Sequence, residues 1–421
     1  MKLSFGIIQA IILLISLGFR QVAGSELDDL IREALDRNSE ILAAKERWEA
    51  AEAKISSARA WPDPRVGIRF EKNPGPAYSL GEARMRMYTF SQTIPFPGKL
   101  SLRAEMYRKD AHGTRWEYEA TRQEIVAQVK TAYYDLYVLQ KSLDIIQEQI
   151  GLLQAFEKTA QAKYAVGETS QHDVLKAQVE LALLREERQT LQQERLLTAR
   201  ERLNTLLNRP ADSPEKILGH MSVPAMTLDR EQLERMALDH RPALTAEEEM
   251  VAKTKAAHTL AKMGYLPDLN VTVMQERMKT PLGEETTQGL GFSLNIPLWF
   301  WGNRAEVSEK KHLWLGAQAM YQDLKKQVLF HVHQALAEYR SAERRSELFQ
   351  TTIVPLAEQS LKAARVAYEH REIDFLNLIS AESNLREARL KQYQAMGKLG
   401  KSLARLEQVV GITLGDEKEM D

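Results

Sequence analysis

The feature that most restricts the fold of this 421-residue chain is an internal repeat. Landmarks of the first half recur in the second half in the same order, at offsets of 202 to 205 residues. The pairs are Ala34-Leu35-Asp36-Arg37 with Ala237-Leu238-Asp239-His240, Trp61-Pro62-Asp63 with Leu266-Pro267-Asp268, Phe90-Ser91-Gln92-Thr93-Ile94-Pro95 with Phe292-Ser293-Leu294-Asn295-Ile296-Pro297, and Tyr164 with Tyr368. The repeat predicts two copies of one structural unit rather than one irregular domain.

We place the first repeat at residues 25–208 and the second at 229–412. The connector 209–228 contains three prolines and reads as a loop, and residues 413–421 form a C-terminal tail. Each repeat is expected to contain a helix, a β-hairpin, a very long helix, a tip and a returning helix. The expected segments are helix 27–59, hairpin 65–92 and tip 167–173 in the first repeat, and helix 229–263, hairpin 269–295 and tip 370–377 in the second.

The N-terminus carries the pattern of a secretory signal peptide at residues 1–24. Lys2 precedes an apolar stretch at 3–19, and small residues follow at 22–24. The alternative is an uncleaved membrane anchor. After this segment, no apolar run approaches the roughly 18 residues of a spanning helix. We therefore expect an exported chain that is either soluble in the periplasm or crosses a membrane as β-strands.

Composition removes several classes of function. The 57 Lys and Arg nearly balance the 58 Asp and Glu, so no basic field points to nucleic acid. There is no cysteine, which excludes thiolate metal sites and cysteine nucleophiles. Spacings typical of zinc proteases, serine hydrolases and P-loop proteins are missing from the sequence. We expect no catalytic residue, no metal and no cofactor, and hence no enzyme.

The long helix of the first repeat carries an unbroken heptad seam. Its apolar residues follow steps of four and three at Ile125, Val129, Ala132, Leu136, Leu139, Leu143, Ile146, Ile150 and Leu153. This spacing predicts coiled-coil packing. As one helix, residues 100–166 would extend about 100 Å. In the second repeat, Pro355 predicts a kink or a break. Taken alone, the seam also suits a fibrous rod.

Each hairpin has one apolar and one polar face. Val66, Ile68 and Phe70 alternate with polar neighbours, and the second hairpin repeats the pattern after residue 269. Loops of about a dozen residues are expected at 73–82 and 277–288. The strands have about the length needed to cross a bilayer at a tilt. If they do, the polar side chains expected to face a lumen are Arg69, Glu71, Arg84 and Arg86.

Four strands cannot close a barrel, and open edges in lipid cost several kcal/mol per unpaired group. The hairpins therefore form either a small soluble sheet or a barrel pooled from several chains. Three chains would supply twelve strands.

Three local motifs resemble the outer membrane factor (TolC-like) family. Residues 164–178 (YAVGETSQHDVLKAQ) are similar to the first periplasmic tip of that family. Residues 91–99 (SQTIPFPGK) and 296–302 (IPLWFWG) resemble its strand-to-helix crossings. The crossings are similar to those of members that work with heavy-metal and other cation pumps. The likeness covers essentially the whole mature chain.

This resemblance implies a mainly α fold with a small β part. It implies a homotrimer with a twelve-stranded β-barrel in outer-membrane lipid and a coiled-coil helical barrel in the periplasm. A periplasmic adaptor (membrane fusion) protein and a proton-driven inner-membrane pump are the implied partners. The expected function is a passive efflux conduit for metal ions or small toxic molecules. Alternatives are the duct of a type I protein secretion system and, in another class, a periplasmic coiled-coil adaptor or structural protein.

The first tip matches the family pattern. Gly167 suits a helix reversal that needs a left-handed residue. Thr169 or Ser170 can cap the returning helix, and Asp173 lies in its first turn. Asp173 either contacts the adaptor or closes the tunnel mouth, or it is only a favourable acid at a helix start.

The second tip departs from the pattern. Arg371 stands where the family usually has glycine, and Asn377 where many members place an aspartate of the entrance ring. Asp374 lies three residues earlier and could supply the negative charge instead.

Overall fold

A computed structural model of the chain describes residues 26–72, 83–214, 223, 226, 229–370 and 372–414. The predicted signal peptide, the loop 73–82, Arg371, much of the connector and the tail after residue 414 lie outside these ranges. The chain divides into two compact units. The helical unit comprises Met1–Ile41, Arg122–His240 and Phe330–Asp421, and the sheet unit comprises Leu42–Thr121 and Arg241–Leu329.

The described part of the helical unit is built from α-helices and two π-helical turns. Its helices are α1 (Glu26–Arg37), α4 (Gln171–Thr190), α5 (Leu196–Leu206), α6 (Arg230–His240), α9 (Val354–Glu369), α10 (Phe375–Val410), and the portions that it contains of α3 (Lys99–Ala165) and α8 (Phe300–Leu348). The π turns are Leu191–Arg195 and Phe349–Ile353. The single long helix that the sequence predicts at 100–166 is confirmed as α3.

The heptad seam of α3 is confirmed as the core of the helical unit. Seven of its nine apolar residues are buried, and Leu139 and Leu143 are partly buried. Side chains of α4 and α10 close the core on the seam near its C-terminal end; they are Ala177, Leu181, Leu184, Phe375 and Ile379. The period of 3.5 residues keeps one stripe of α3 against its neighbours along many turns.

The sheet unit contains four antiparallel strands in the order β1-β2-β3-β4. They are β1 (Arg65–Glu71), β2 (Met85–Ile94), β3 (Leu269–Thr280) and β4 (Gly283–Leu294). Pairing of β2 with β3 joins the two predicted hairpins into one sheet. The unit also contains most of α2 (Ser39–Arg59), α7 (Pro242–Lys262) and a 3-10 turn, Met263–Tyr265.

The first helix of each repeat was predicted as one element but is two. Between α1 and α2, the Asn38 side chain accepts hydrogen bonds from the backbone N–H groups of Glu40 (2.9 Å) and Ile41 (3.2 Å), and so caps α2. In the second repeat, Pro242 begins α7, where its missing N–H is tolerated. Apolar periodicity continues across both breaks and does not reveal them.

The predicted loop at 277–288 is wrong, because β3 and β4 fill most of it. Only Pro281 and Leu282 connect the two strands. Gly283 has a φ of 137°, and the Thr280 hydroxyl donates to its carbonyl at 2.9 Å. Lys279 pairs with Glu284 across the ladder. Opposite charges thus continue a strand pairing whose apolar alternation has ended.

The irregularity expected at Pro355 is the π turn Phe349–Ile353, which immediately precedes α9. Pro355 lies in the first turn of α9, where a proline costs few hydrogen bonds. The other π turn, in the returning helix of the first repeat, was not predicted. In the described ranges, every helix is too short or too polar to pass through a membrane.

Candidate functional site

The first tip is a reversal that depends on a left-handed glycine. After α3 ends at Ala165, Gly167 has a φ of 76°. Its N–H donates to the Tyr164 carbonyl at 3.0 Å, and the Glu168 N–H donates to the Lys163 carbonyl at 2.8 Å. These bonds satisfy carbonyls that the helix end leaves without partners, as is common for a glycine-terminated helix.

The polar residues of the first tip fix the start of α4. The Ser170 Oγ accepts a hydrogen bond from the Asp173 N–H at 3.3 Å, which makes Ser170 the N-cap residue. The Thr169 Oγ1 donates to Asp173 Oδ2 at 2.5 Å. Asp173 therefore stabilises the turn locally, whatever else it binds. The expected capping role is confirmed for Ser170, while Thr169 binds the carboxylate instead.

The second tip repeats this arrangement with an aspartate as the cap. Asp374 Oδ1 accepts a hydrogen bond from the Asn377 N–H at 2.9 Å at the start of α10. Asp374 stands 204 residues after Ser170, and Asn377 stands 204 after Asp173. Asp374 is thus a helix cap as well as a source of negative charge. Arg371 lies outside the described residues.

A cation–π contact that no sequence pattern predicts joins the two tips. Lys163 Nζ lies 4.4 Å from the centre of the Tyr368 ring. Phe375 is buried between Tyr368 and Phe156, with ring centroids 5.9 Å and 6.5 Å away. Tyr368 belongs to a repeated motif, since it corresponds to Tyr164 in the first repeat. Phe375 belongs to no repeated motif, so the sequence did not single it out.

The tips together line a cleft of about 290 Å³. Its walls are Lys163, Glu168, Thr169, Ser170, Asp173, Tyr368, Ile373, Asp374 and Phe375. Four of these nine residues were predicted as site residues: Thr169, Ser170, Asp173 and Asp374. Gly167 and Asn377 are not among its lining residues.

The second site is the sheet, whose two faces differ in chemistry. Residues directly opposite each other in neighbouring strands share a face. One row across all four strands is Val66, Phe90, Val273 and Leu290, with exposed fractions of 77%, 48%, 51% and 61%. Further along β4, Phe292 and Leu294 are also apolar and exposed on the same side. We call the side that carries this row the apolar face.

The opposite side, here the polar face, carries mostly polar, small and sulfur-containing residues. It comprises Arg65, Gly67, Arg69 and Glu71 of β1, Met85, Met87, Thr89, Ser91 and Thr93 of β2, Asn270, Thr272, Met274, Glu276, Met278 and Thr280 of β3, and Gly283, Glu285, Thr287, Gly289, Gly291 and Ser293 of β4. The Met274 side chain lies over Gly289, where an added Cβ would come within 3.0 Å of it. Glycine thus allows close packing on this face.

The register separates the four residues that were expected to face one lumen. Arg69 and Glu71 lie opposite Met87 and Met85, on the polar face. Arg86 lies opposite Phe70, on the apolar face. Arg84, two residues before it, shares that face. The expectation of a common face is therefore wrong. Odd-numbered residues of β1 lie opposite odd-numbered residues of β2, so Arg69 and Glu71 share no face with Arg84 and Arg86. The sequence alone does not fix this pairing.

A polar contact fastens the strands to the start of α3. Asp268, from the repeated Pro-Asp landmark, accepts hydrogen bonds from the Phe96 N–H and from Lys99 Nζ, both at 2.8 Å. Lys99 Nζ also donates to the Leu266 carbonyl at 2.8 Å. The landmark therefore positions the strand-to-helix crossing of the other repeat.

Comparison with known proteins agrees with this architecture. The family model described as "Outer membrane efflux protein" matches residues 30–209 and 233–412. The cobalt-zinc-cadmium resistance protein CzcC of Cupriavidus metallidurans is 22% identical over 406 residues, which cover 93% of this chain and 91% of CzcC.

Two solved structures are similar in fold. The Campylobacter jejuni CmeC outer membrane channel has a TM-score of 0.78 at 15% identity, with 93% of this chain and 87% of CmeC covered. CusC has a TM-score of 0.77 at 17% identity, with 92% of each chain covered. Since the family model spans 180 residues in each half of the chain, this protein belongs to the outer membrane efflux protein family.

Proposed function

We propose that this chain is one subunit of a homotrimeric outer-membrane channel in a tripartite efflux system. In this proposal it is a passive conduit that exports metal ions or small toxic molecules. The observation that carries the proposal is the sheet. Strands β1 and β4 are its two edges, and its apolar face is exposed in the single chain.

Closure of the sheet in lipid requires other copies. Edge strands present rows of N–H and C=O groups that cannot remain unpaired in a bilayer. In the order β1-β2-β3-β4, β4 of one copy can pair antiparallel with β1 of the next. Three copies give twelve strands with the apolar face toward lipid and the polar face toward water.

Exposed apolar residues on α4 support the same assembly in the periplasm. Leu175, Val179 and Leu183 recur every four residues and have exposed fractions of 51%, 53% and 57%. They form a stripe along one side of the helix. Such a stripe is favourable when another helix covers it, and a neighbouring copy is the partner that a homotrimer supplies.

The tips are the proposed contact with a periplasmic adaptor protein, which links the channel to a proton-driven inner-membrane pump. Val166 is 70% exposed at the first tip, beside the polar cleft. An exposed apolar side chain at the same tip as hydroxyl and carboxylate groups suits contact with a helical partner. Gly167, Thr169, Ser170, Asp173, Arg371, Asp374 and Asn377 are the proposed docking residues.

Cations fit the charges of the polar face. It contains Glu71, Glu276 and Glu285 at its end away from the strand-to-helix crossings, with Arg69 among them. Three copies would line the lumen with an excess of carboxylates, which favours the passage of cations. The relative CzcC is named for resistance to cobalt, zinc and cadmium. We propose divalent transition-metal ions as the first substrates to test.

The test is growth of a strain that lacks the gene, in graded cobalt, zinc, cadmium and an apolar drug. The wild-type gene should restore metal tolerance. Val166→Asp should not, because a charge at the exposed apolar tip opposes docking, although the protein should still reach the outer membrane. Lys391→Gln, on an exposed helix position, is the matched control and should restore tolerance.

Two results would redirect the proposal. Unchanged metal tolerance together with loss of a secreted protein would favour the type I secretion duct. A wild-type protein found free in the periplasm would favour the adaptor or structural protein.

A further inference from the structure

All the methionines of the four strands lie on the polar face. They are Met85 and Met87 of β2 and Met274 and Met278 of β3. In these strands, which the structure describes in full, the polar face carries no Leu, Ile, Val, Phe, Tyr or Trp, and the apolar face carries no Met. The sheet thus separates thioethers from every other large apolar side chain. Burial of apolar surface alone does not sort sulfur from hydrocarbon in this way.

Packing accounts for one of the four, Met274. An added Cβ at Gly289 would lie 3.0 Å from Met274 Cγ and 3.4 Å from its Sδ, and an added Cβ at Gly291 would lie 3.8 Å from its Cε. The Met274 side chain therefore lies across β4 and covers two glycines. Methionine commonly fills such gaps, so Met274 needs no further role.

The other three methionines lie together and face no glycine. Met85 is directly opposite Met278, and Met87 lies two residues further along β2. The residues opposite these three in the remaining pairings are Arg69, Glu71, Glu276 and Glu285. We call Met85, Met87 and Met278 the methionine cluster.

The spacing of the methionine cluster suits one bound ion. The Cβ atoms of directly opposite residues are about 5 Å apart, and residues two apart along a strand are about 7 Å apart. Methionine has a long, unbranched side chain with flexible torsions. Three thioethers on one face can therefore reach a common point above β2 and β3. Met278 is 39% exposed and the other two are partly buried, so the cluster is open to solutes.

The ligand atoms of the cluster select the kind of ion. A thioether is an uncharged, soft ligand, and soft sulfur ligands select Cu(I) over harder ions. The chain has no cysteine, and the four strands contain no histidine. In the described ranges, no group of three or more His, Asp or Glu side chains could hold a metal ion. Thioethers are therefore the soft ligands that the polar face offers.

We propose that the methionine cluster binds Cu(I), or Ag(I) of the same chemical class, as the ion moves along the polar face. This inference rests on the proposed function, because it requires the polar face to line the lumen. It extends the proposed cargo from divalent ions to a soft monovalent ion. Three equivalent clusters would lie at one level of a closed trimer. Exchange between such sites suits a conduit, which must release what it binds.

The experiment is an anaerobic titration of the purified full-length protein in detergent with Cu(I), against a chromogenic Cu(I) chelator. X-ray absorption at the copper edge then identifies the atoms bonded to the ion. The wild type should bind one Cu(I) per chain through sulfur, and a tenfold excess of Zn(II) should not displace it. Copper bonded only to oxygen or nitrogen, or displaced by Zn(II), would overturn the proposal.

The variant is Met85→Leu/Met278→Leu. Its matched control is Met274→Leu/Met320→Leu, which removes as many thioethers from outside the cluster; Met320 is 65% exposed on α8. Leucine and methionine have similar volumes, so both proteins should fold. The variant should weaken Cu(I) binding at least about tenfold and lose the copper–sulfur signal, while the control changes binding less than twofold. Equal effects of the two would contradict the assignment.

Two further variants guard this result. Met278→Leu alone should also weaken binding, and it replaces the double variant if that protein fails to form trimers. Glu71→Gln/Glu285→Gln removes the carboxylates opposite Met85 and Met278 and should leave the copper–sulfur signal in place. Loss of that signal would mean that carboxylates hold the ion, which overturns the proposal.

Failure of this inference differs from failure of the proposed function. A protein that forms trimers and needs detergent, but binds Cu(I) equally well without Met85 and Met278, overturns the Cu(I) inference alone. A wild-type protein that stays monomeric without detergent overturns the proposed function, and passage of Cu(I) along a lumen with it.

Discussion

At the scale of single residues, the local chemistry of the tips follows from residue type. A glycine after a long helix and a serine three residues later predict a left-handed reversal and an N-cap, and the structure contains both at Gly167 and Ser170. The cap role of Asp374 was not predicted, because its carboxylate was interpreted as charge only. Short side chains often bond to the nearby backbone before they serve a ligand.

The conformation of Gly167 leads to a first prediction. Gly167→Ala should destabilise the first tip by about 1 kcal/mol, because a side chain is disfavoured at positive φ, although no described atom lies within 4 Å of the added Cβ. Hydrogen exchange of the tip amides should accelerate about fivefold. Gly151→Ala, inside α3 and equally unobstructed, should instead slow exchange, since alanine favours a helix. Equal effects of the two changes would contradict this account.

A buried ion pair leads to a second prediction, on pH. Burial raises the pKa of Glu407 above its usual value, and the ion pair with Lys130 (Nζ to Oε2, 2.6 Å) opposes that rise. Because the folded state holds this proton more tightly than the unfolded chain does, the contribution of Glu407 to stability decreases as pH rises above the usual carboxyl range. Lys130→Met should therefore lower stability by about 3–5 kcal/mol at pH 8 and by less at pH 5.

The measurement is thermal unfolding by circular dichroism at the two pH values. Adding Glu407→Gln to Lys130→Met removes the unpaired charge and should restore part of the loss at pH 8. A loss for Lys130→Met that is the same at both pH values would mean that the carboxylate is not its cause.

At the scale of elements, the heptad spacing predicts most of the helical unit. Ile125, Val129 and Ile146 are almost completely buried, as their period requires. Pro355 predicts an irregularity where the π turn Phe349–Ile353 lies. The π turn Leu191–Arg195 has no such signal, because one extra residue in a turn leaves the apolar spacing nearly unchanged on either side. The sequence predicts which residues of one strand share a face. The pairing of β2 with β1 then decides whether arginines on different strands lie on the same face.

The approach of α10 to α3 leads to a third prediction. A Cβ at Gly400 would lie 2.6–2.8 Å from the ring of Tyr134, and one at Gly397 would meet Val138. Tyr134 is buried, so its ring has little room to move. The same burial raises the pKa of Tyr134 to about 12. Gly400→Ala should cost about 1–3 kcal/mol through overpacking. Gly316→Ala in α8, where no described atom lies within 4 Å, is the control and should not lower the unfolding temperature.

At the scale of the whole molecule, the repeat predicts the order of elements in both halves, and the family match agrees with it. Members of this family are efflux channels rather than enzymes. In this chain, the tip residues Gly167, Ser170 and Asp374 form turns and helix caps. Neither the period nor the register of one chain states how many copies close the sheet. The strand order shows only that β1 and β4 are the edges at which another copy can pair.

The most direct test of the account is disulfide cross-linking between those edges. The chain has no cysteine, so an introduced pair reports without background. Ile68→Cys on β1 would be combined in turn with Thr286→Cys, Gln288→Cys and Leu290→Cys on β4, all on the apolar face, in protein purified from outer membranes. Ile68→Cys with Thr287→Cys, which faces the other way, is the control.

At least one pair should give, after mild oxidation, a covalent product with the mass of three chains and nothing larger, while the control gives far less. Such a ceiling arises only when β4 of each copy meets β1 of the next in a closed ring of three. Monomers at every position, or a ladder that continues beyond three chains, would contradict the closed trimer.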